Sequence, residues 1–170
     1  YILATKCGCV VRRATKERDD VSHDFSRENC YRGVHDSLRA LGTDYVDLLQ
    51  LHNPTFAEAE QLGVVESLRL MKEEGLCRWI GISTSLPDLP KFIEMGGFDV
   101  LQVPYSGLNR KNSGSINRAG SSGIGIIGRG GVSRGEPSGG FGSEKRWSLY
   151  ERAGLDDYRI EGMTRTQFLL

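Results

Sequence analysis

Apolar positions along the chain fall into two alternating kinds of segment. Five short runs are aliphatic or β-branched without strict alternation, at residues 1–5, 45–51, 79–83, 99–103 and 124–128. Strands covered on both faces read this way, as in parallel sheets. Between them the apolar period lengthens to that of a helix. Ser26 is an N-cap ahead of Cys30, Val34, Leu38 and Leu41, and Gly42 is the stop. A second helix is expected from about residue 57 to 74, with Val64, Leu68 and Met71 as its stripe and Gly75 at its end. A third covers about 86–95 and closes at Gly96 and Gly97, and a small polar helix lies within 105–122. Thr164 and Gln167 form a T-x-x-Q capping box that opens a last helix.

Strand, helix, strand, repeated with short connections, gives an α/β chain with a parallel sheet, one domain over residues 1–170. A doubly wound sheet and a (β/α)8 barrel both fit. The polar residues decide between them. The five runs end at or near Lys6, His52, Ser83 with Thr84, Gln102 and Arg129. In a barrel the C-terminal strand ends ring one pocket, whereas in an open sheet they spread along an edge and share only the switch point. The barrel therefore accounts for all five positions, as an incomplete barrel of about five parallel strands. Trp79 is expected in the core.

Lys+Arg and Asp+Glu both number 22. The balance gives no whole-protein attraction to nucleic acid or to an acidic membrane. No apolar run is long enough to span a bilayer, and no signal peptide is visible. Cys7 and Cys9 have the wrong spacing for a C-x-x-C pair. With Cys30 and Cys77 they read as reduced, small apolar residues of a cytoplasmic protein. His23 and Asp24 read as loop and capping residues.

Gly123, Gly125 and Gly128 spell G-x-G-x-x-G. In a dinucleotide-binding Rossmann turn the glycines follow a strand and open a helix. Here a polar segment precedes them and Ile124, Ile126 and Ile127 lie between them, so the fingerprint is out of place. Residues 124–128 read as a strand and 129–142 as a flexible loop. A glycine-rich loop after a strand can still hold phosphate through backbone N–H groups.

"ATKCG" (4–8), "HDFSRENCYRGVHDSLRALGTDYVDLLQLHNP" (23–54), "LRLMKEEGLCRWIGIST" (68–84), "FDVLQVPYSGLN" (98–109), "IIGRGGVSRGEP" (126–137) and "AGLDDYRIEGMTRTQFLL" (153–170) resemble the aldo-keto reductases in order and spacing. The resemblance covers essentially the whole chain, and the long block ending at His52 is its most specific part. It implies a (β/α)8 barrel that reduces aldehydes and ketones with NADPH, hydride passing to the carbonyl carbon and a tyrosine giving the proton to the oxygen. By motif, Lys6 is the lysine that tunes that tyrosine, and His52 is the histidine that orients the carbonyl. Ser83, Thr84 and Gln102 match the residues that grip the nicotinamide carboxamide. Thr84 stands where the family often has Asn. Arg129 stands where a ring-stacking Tyr is common, and Gly130, Gly131, Val132, Ser133 and Arg134 match the pyrophosphate loop.

The same resemblance places the catalytic Asp and Tyr on segments ahead of the Lys6 strand, and the remaining nucleotide contacts after the helix begun at Thr164. A barrel takes about 250 residues. The expectation is thus a truncated barrel, two strands short before Tyr1 and one short after Leu170, inactive or weakly active alone and prone to self-associate through open sheet edges. The other readings are a non-catalytic nucleotide-binding or interaction module on the same partial barrel, and a purely structural fragment of it.

Overall fold

Helix α1 (Arg27–Leu41) forms where its caps place it. The Ser26 hydroxyl accepts from the Asn29 N–H at 3.3 Å, and Gly42 ends the helix at φ 65°, the left-handed conformation that favours glycine. Cys30, Val34 and Leu38 are buried as their spacing predicts, but Leu41 is left half-exposed at the last turn. The structure, a computed structural model, describes residues 1–13, 19–133, 135–136 and 144–170, with backbone only at 11–13 and 19–20.

The remaining elements follow in chain order. Strand β1 is Ala4–Cys7, and a hairpin of β2 (Cys9–Arg13) and β3 (Asp19–His23) precedes α1. After α1 come β4 (Val46–His52), α2 (Phe56–Gln61), α3 (Val64–Glu73), β5 (Cys77–Ser83) and α4 (Leu89–Met95). Then come β6 (Val100–Pro104), α5 (Ser113–Ser121), β7 (Gly125–Arg129), α6 (Glu144–Arg152), a 3-10 turn at Leu155–Tyr158 and α7 (Arg165–Phe168).

Strands β1, β4, β5, β6 and β7 form one parallel sheet, with β1 beside β4 and the rest in sequence order. The order never reverses, so the sheet has no switch point and is one arc of a (β/α)8 barrel. Gly125 and Gly128 lie inside β7, so the G-x-G-x-x-G run is a strand and not a phosphate turn. The expected loop at 129–142 lies partly outside the described residues.

Side chains alternate across the sheet. Leu49, Leu51, Ile80, Ile82, Leu101 and Val103 are buried in one cluster with helix residues such as Val34, Leu68 and Phe92. Leu48, Gln50, Trp79, Gly81 and Gln102 take the opposite parity. Trp79 is 44% exposed, not core. It lies one residue out of step with Ile80 and Ile82, and therefore on the face without helices.

Three further differences from the sequence reading have local causes. The β1 ladder begins at Ala4, because Asp47 ties down Leu3 just ahead of it, and Tyr1 and Ile2 stay exposed. The helix expected over 57–74 is two. Gly63 sits at φ 57° between them, and Thr55 opens the first with a capping box. The β2–β3 hairpin was not expected at all. A second apolar cluster, Leu108, Trp147 and Tyr150 with Phe168 and Leu169, joins α6 to α7, which starts at the predicted Thr164 capping box.

Candidate active site

The sheet register brings the strand ends together. His52 ends β4 opposite Ser83, which ends β5 and in turn lies opposite Gln102 in β6. Lys6 pairs with Gln50 at the β1 edge, and Arg129 closes β7 at the other. Lys6, His52, Ser83, Gln102 and Arg129 line one cleft of about 490 Å³ at the C-terminal strand ends. His23, Asn53 and Ser85 also line it.

Asn53 holds a left-handed φ of 61° immediately after β4, and its N–H donates to the Ser83 carbonyl at 2.8 Å. This bond fixes the exit of β4 against β5 and so the position of His52. Ser83 is buried, whereas Lys6 and Arg129 are exposed. Two cations thus face a cleft whose floor is neutral and polar, a field that favours anionic ligands.

His52 is half-buried, and its Nδ1 lies 2.8 Å from Cys9 Sγ. Burial lowers its pKa below the usual imidazole value, and His23, Lys6 and Arg129 push the same way. The ring is therefore neutral near pH 7. A thiol donating to Nδ1 leaves the proton on Nε2, which makes Nε2–H the donor available to a ligand. The His23 ring stacks on Phe25 at 5.6 Å and meets His52 edge-on at 5.7 Å.

Thr84 is buried next to the cleft but does not line it. Its N–H donates to the Gln102 carbonyl at 3.1 Å. Gly130, Gly131, Val132 and Ser133 form a turn after Arg129, with the Ser133 N–H donating to the Gly130 carbonyl at 3.0 Å. The φ of Gly130 is 71° and that of Ser133 is 50°. Nothing lies within 4 Å of where a Gly130 side chain would be. The Ser133 hydroxyl is buried without a partner among the described residues. A narrow, open backbone turn with an unsatisfied hydroxyl and an adjacent guanidinium has the donor set a phosphate group takes. Arg134 lies outside the described residues.

Sequence reasoning missed His23, Asn53, Ser85 and the contact of Cys9 with His52. The available signal was the strand-like run from Cys9, whose partner strand ends at His23. Asp24, by contrast, caps as read: it accepts from the Ser26 N–H at 2.9 Å.

A family model described as the aldo/keto reductase family matches residues 1–146. The chain is 38% identical over 89 residues to L-galactose dehydrogenase of Arabidopsis thaliana, a match covering 51% of this chain and 25% of that protein. It is 32% identical over 120 residues to NADH-specific methylglyoxal reductase of Escherichia coli, covering 64% and 36%. Among solved structures it is similar to an aldo-keto reductase of Bacillus halodurans in its holo form. There the TM-score is 0.70 at 32% identity, over 79% of this chain and 44% of that one. The chain spans less than half the length of these relatives.

Proposed function

Because the chain belongs to the aldo/keto reductase family, we propose that its cleft is the catalytic face of an oxidoreductase that reduces small aldehydes or ketones with NADPH. One observation carries the reading. His52, Ser83 and Gln102 stand in consecutive register across three strands, with Lys6 and Arg129 facing the same cleft.

When bound, the nicotinamide supplies hydride to the carbonyl carbon. The Ser83 hydroxyl and the Gln102 amide offer the donor and acceptor pair that a carboxamide needs, and they would hold the nicotinamide by it. Buried Thr84 acts through the backbone, keeping β5 against β6. Arg129, with Gly130, Gly131, Val132 and the Ser133 hydroxyl, would hold the pyrophosphate. His52 Nε2–H donates to the carbonyl oxygen and so favours the charge that develops there. The Lys6 ammonium would lower the pKa of a phenol beside it, so that the phenol gives up its proton more readily. That donor, the family's tyrosine, belongs to the whole protein. Residues 1–170 made alone are expected to oxidise NADPH barely above background.

Among the described residues strands β1 and β7 each have one neighbour in the sheet, and Trp79 and Ile127 stand exposed on the face without helices. Residues 1–170 alone would therefore self-associate. No helix of the described residues is long and apolar enough to cross a membrane. All four cysteines are free, which supports the cytoplasm as the compartment.

The test is reduced-nicotinamide consumption by the complete protein with methylglyoxal and with aldoses, the kinds of compound two relatives are named for. NADPH and NADH are run side by side. Turnover with NADPH supports the reading, and preference for NADH overturns the cofactor assignment. Tight dinucleotide binding without turnover overturns the enzyme reading in favour of a nucleotide-binding module.

A further inference from the structure

The cleft wall holds a side-chain group that carbonyl reduction does not use. Cys9, at the start of β2, is the register partner of His23, at the end of β3. Gly8 makes this possible. Its φ of 89° turns the chain sharply from β1 into the hairpin, and any side chain there would strike the Phe25 ring at 2.4 Å. The turn folds both hairpin ends back over the β4 terminus. The donor atoms of Cys9, His23 and His52 consequently lie within 4.8 Å of one another.

We propose that Cys9, His23 and His52 form a binding site for a divalent zinc-like cation at the mouth of the cleft. One thiolate with two imidazoles is a borderline-soft donor set, the kind that selects zinc over magnesium or calcium. Zn–S and Zn–N bonds of about 2.3 and 2.0 Å at tetrahedral angles put sulfur and nitrogen roughly 3.5 Å apart. Cys9 Sγ and His52 Nδ1, at 2.8 Å, need only separate slightly. His23 is exposed, and from its place beside Phe25 and His52 its ring nitrogen already lies within 4.8 Å of the other two donors. Three protein ligands leave the fourth position to water, as in open zinc sites.

Charge sets the terms. Lys6 and Arg129 line the same cleft and repel a dication, whereas the Cys9 thiolate attracts it. Binding breaks the Cys9 S–H bond and releases that proton to solvent as the S–Zn bond forms, with no change of oxidation state. The cation then holds the His52 ring. Opening the Cys9–His52 contact from 2.8 Å to bonding distance around the cation moves the His52 ring, and with it the Nε2–H; on the reading of His52 as the carbonyl-orienting group, occupancy therefore disturbs reduction and the site makes the enzyme zinc-inhibited.

The experiment uses the complete protein, reduced and stripped of metal, titrated with Co2+ and followed by absorption. One equivalent per chain is expected to give visible bands of tetrahedral Co2+ and a thiolate-to-cobalt band in the near ultraviolet, both abolished by added Zn2+. Cys9→Ser should lose the thiolate band. His23→Gln should keep that band but weaken affinity at least about tenfold, the loss typical of a disturbed metal shell. Circular dichroism checks that both variants fold. No saturable site at one equivalent, or an unchanged spectrum in Cys9→Ser, overturns the site. In parallel, with each protein's rate taken relative to its own metal-free rate, Zn2+ should inhibit wild-type turnover and leave that of Cys9→Ser unchanged. Equal inhibition of both overturns the regulatory part. The cobalt spectra decide the site even in a protein that proves to have no reductase activity.

Discussion

Asp47 and Arg78 meet at 3.0 Å, Oδ1 to Nη1, and the other Asp47 oxygen accepts the Leu3 N–H at 2.8 Å. The two partners sit in unlike surroundings: the Arg78 side chain is 57% exposed and that of Asp47 only 11%. An exposed guanidinium adds about 0–1 kcal/mol to such a pair. Removing the carboxylate also strands a backbone donor at the entrance to β1, a loss of about 1–3 kcal/mol. Asp47→Ala should therefore lower the urea midpoint of the complete protein clearly more than Arg78→Ala. The reverse order would mean that the ion pair, and not the tie to Leu3, holds β1 in place.

His52→Ala should reduce kcat by about 10²–10³-fold, the loss typical of one oriented donor to a developing oxyanion, with NADPH affinity unchanged. Lys6→Met should also cut kcat, because it removes the charge that makes the proton donor the stronger acid. Steady-state kinetics on the complete protein, with cofactor binding measured by fluorescence, separate the two quantities. A rise in KM at constant kcat for either variant would reduce that residue to a binding role.

Gly81 packs where no side chain fits. A Cβ there would lie 2.6 Å from the Val100 carbonyl oxygen, a backbone atom of β6, and 3.4 Å from Gln50 Cγ. Gly81→Ala should cost about 1–3 kcal/mol through overpacking. Gly128→Ala is the control, since nothing lies within 4 Å of its Cβ position. Thermal melts of the two variants should differ clearly. Equal melting temperatures would show that β5 and β6 part without penalty.

Glu58 and Thr55 cap α2 reciprocally. Glu58 Oε2 accepts from the Thr55 hydroxyl at 2.7 Å and from the Thr55 N–H at 2.9 Å. The hydroxyl bond, then the backbone bond, holds the Glu58 pKa below the usual glutamate value. A depressed folded-state pKa means that the unfolded chain takes up the proton first. The capping contribution is complete above the ordinary glutamate pKa and is lost as pH falls through the depressed one. Glu58→Gln should lower stability at neutral pH and flatten this acid limb, read as urea midpoint against pH.

The legible parts of the fold are those where a local signal and the tertiary environment agree. Ser26 and Gly42 bound α1 in the sequence as they do in space, and the uninterrupted VDLLQL run is a strand buried from Val46 to Leu51. The polar residues at the strand ends were visible for the same reason, since each interrupts an apolar run. The β2–β3 hairpin was not visible. Its strands, CVVRR and DDVSH, are half charged and gain their pairing only after the chain has turned at Gly8. His23 therefore reads as a loop residue and Cys9 as a small apolar one, and the one trace of their approach to His52 is the short apolar run that begins at Cys9. Trp79 was misplaced because an apolar run gives the strand but not which parity faces the helices.

The burial of β4 between β1 and β5 has a consequence for how the molecule opens. Its amides are paired on both sides, and its residues from Val46 to Leu51 are shut off from water. Protons on these amides should exchange with deuterated solvent only when the sheet itself comes apart. His52 stands at the end of this strand, whereas Arg129 ends β7, which is mostly exposed among the described residues. One side of the cleft is therefore anchored to backbone that opens only with the sheet, and the other to backbone that water already reaches.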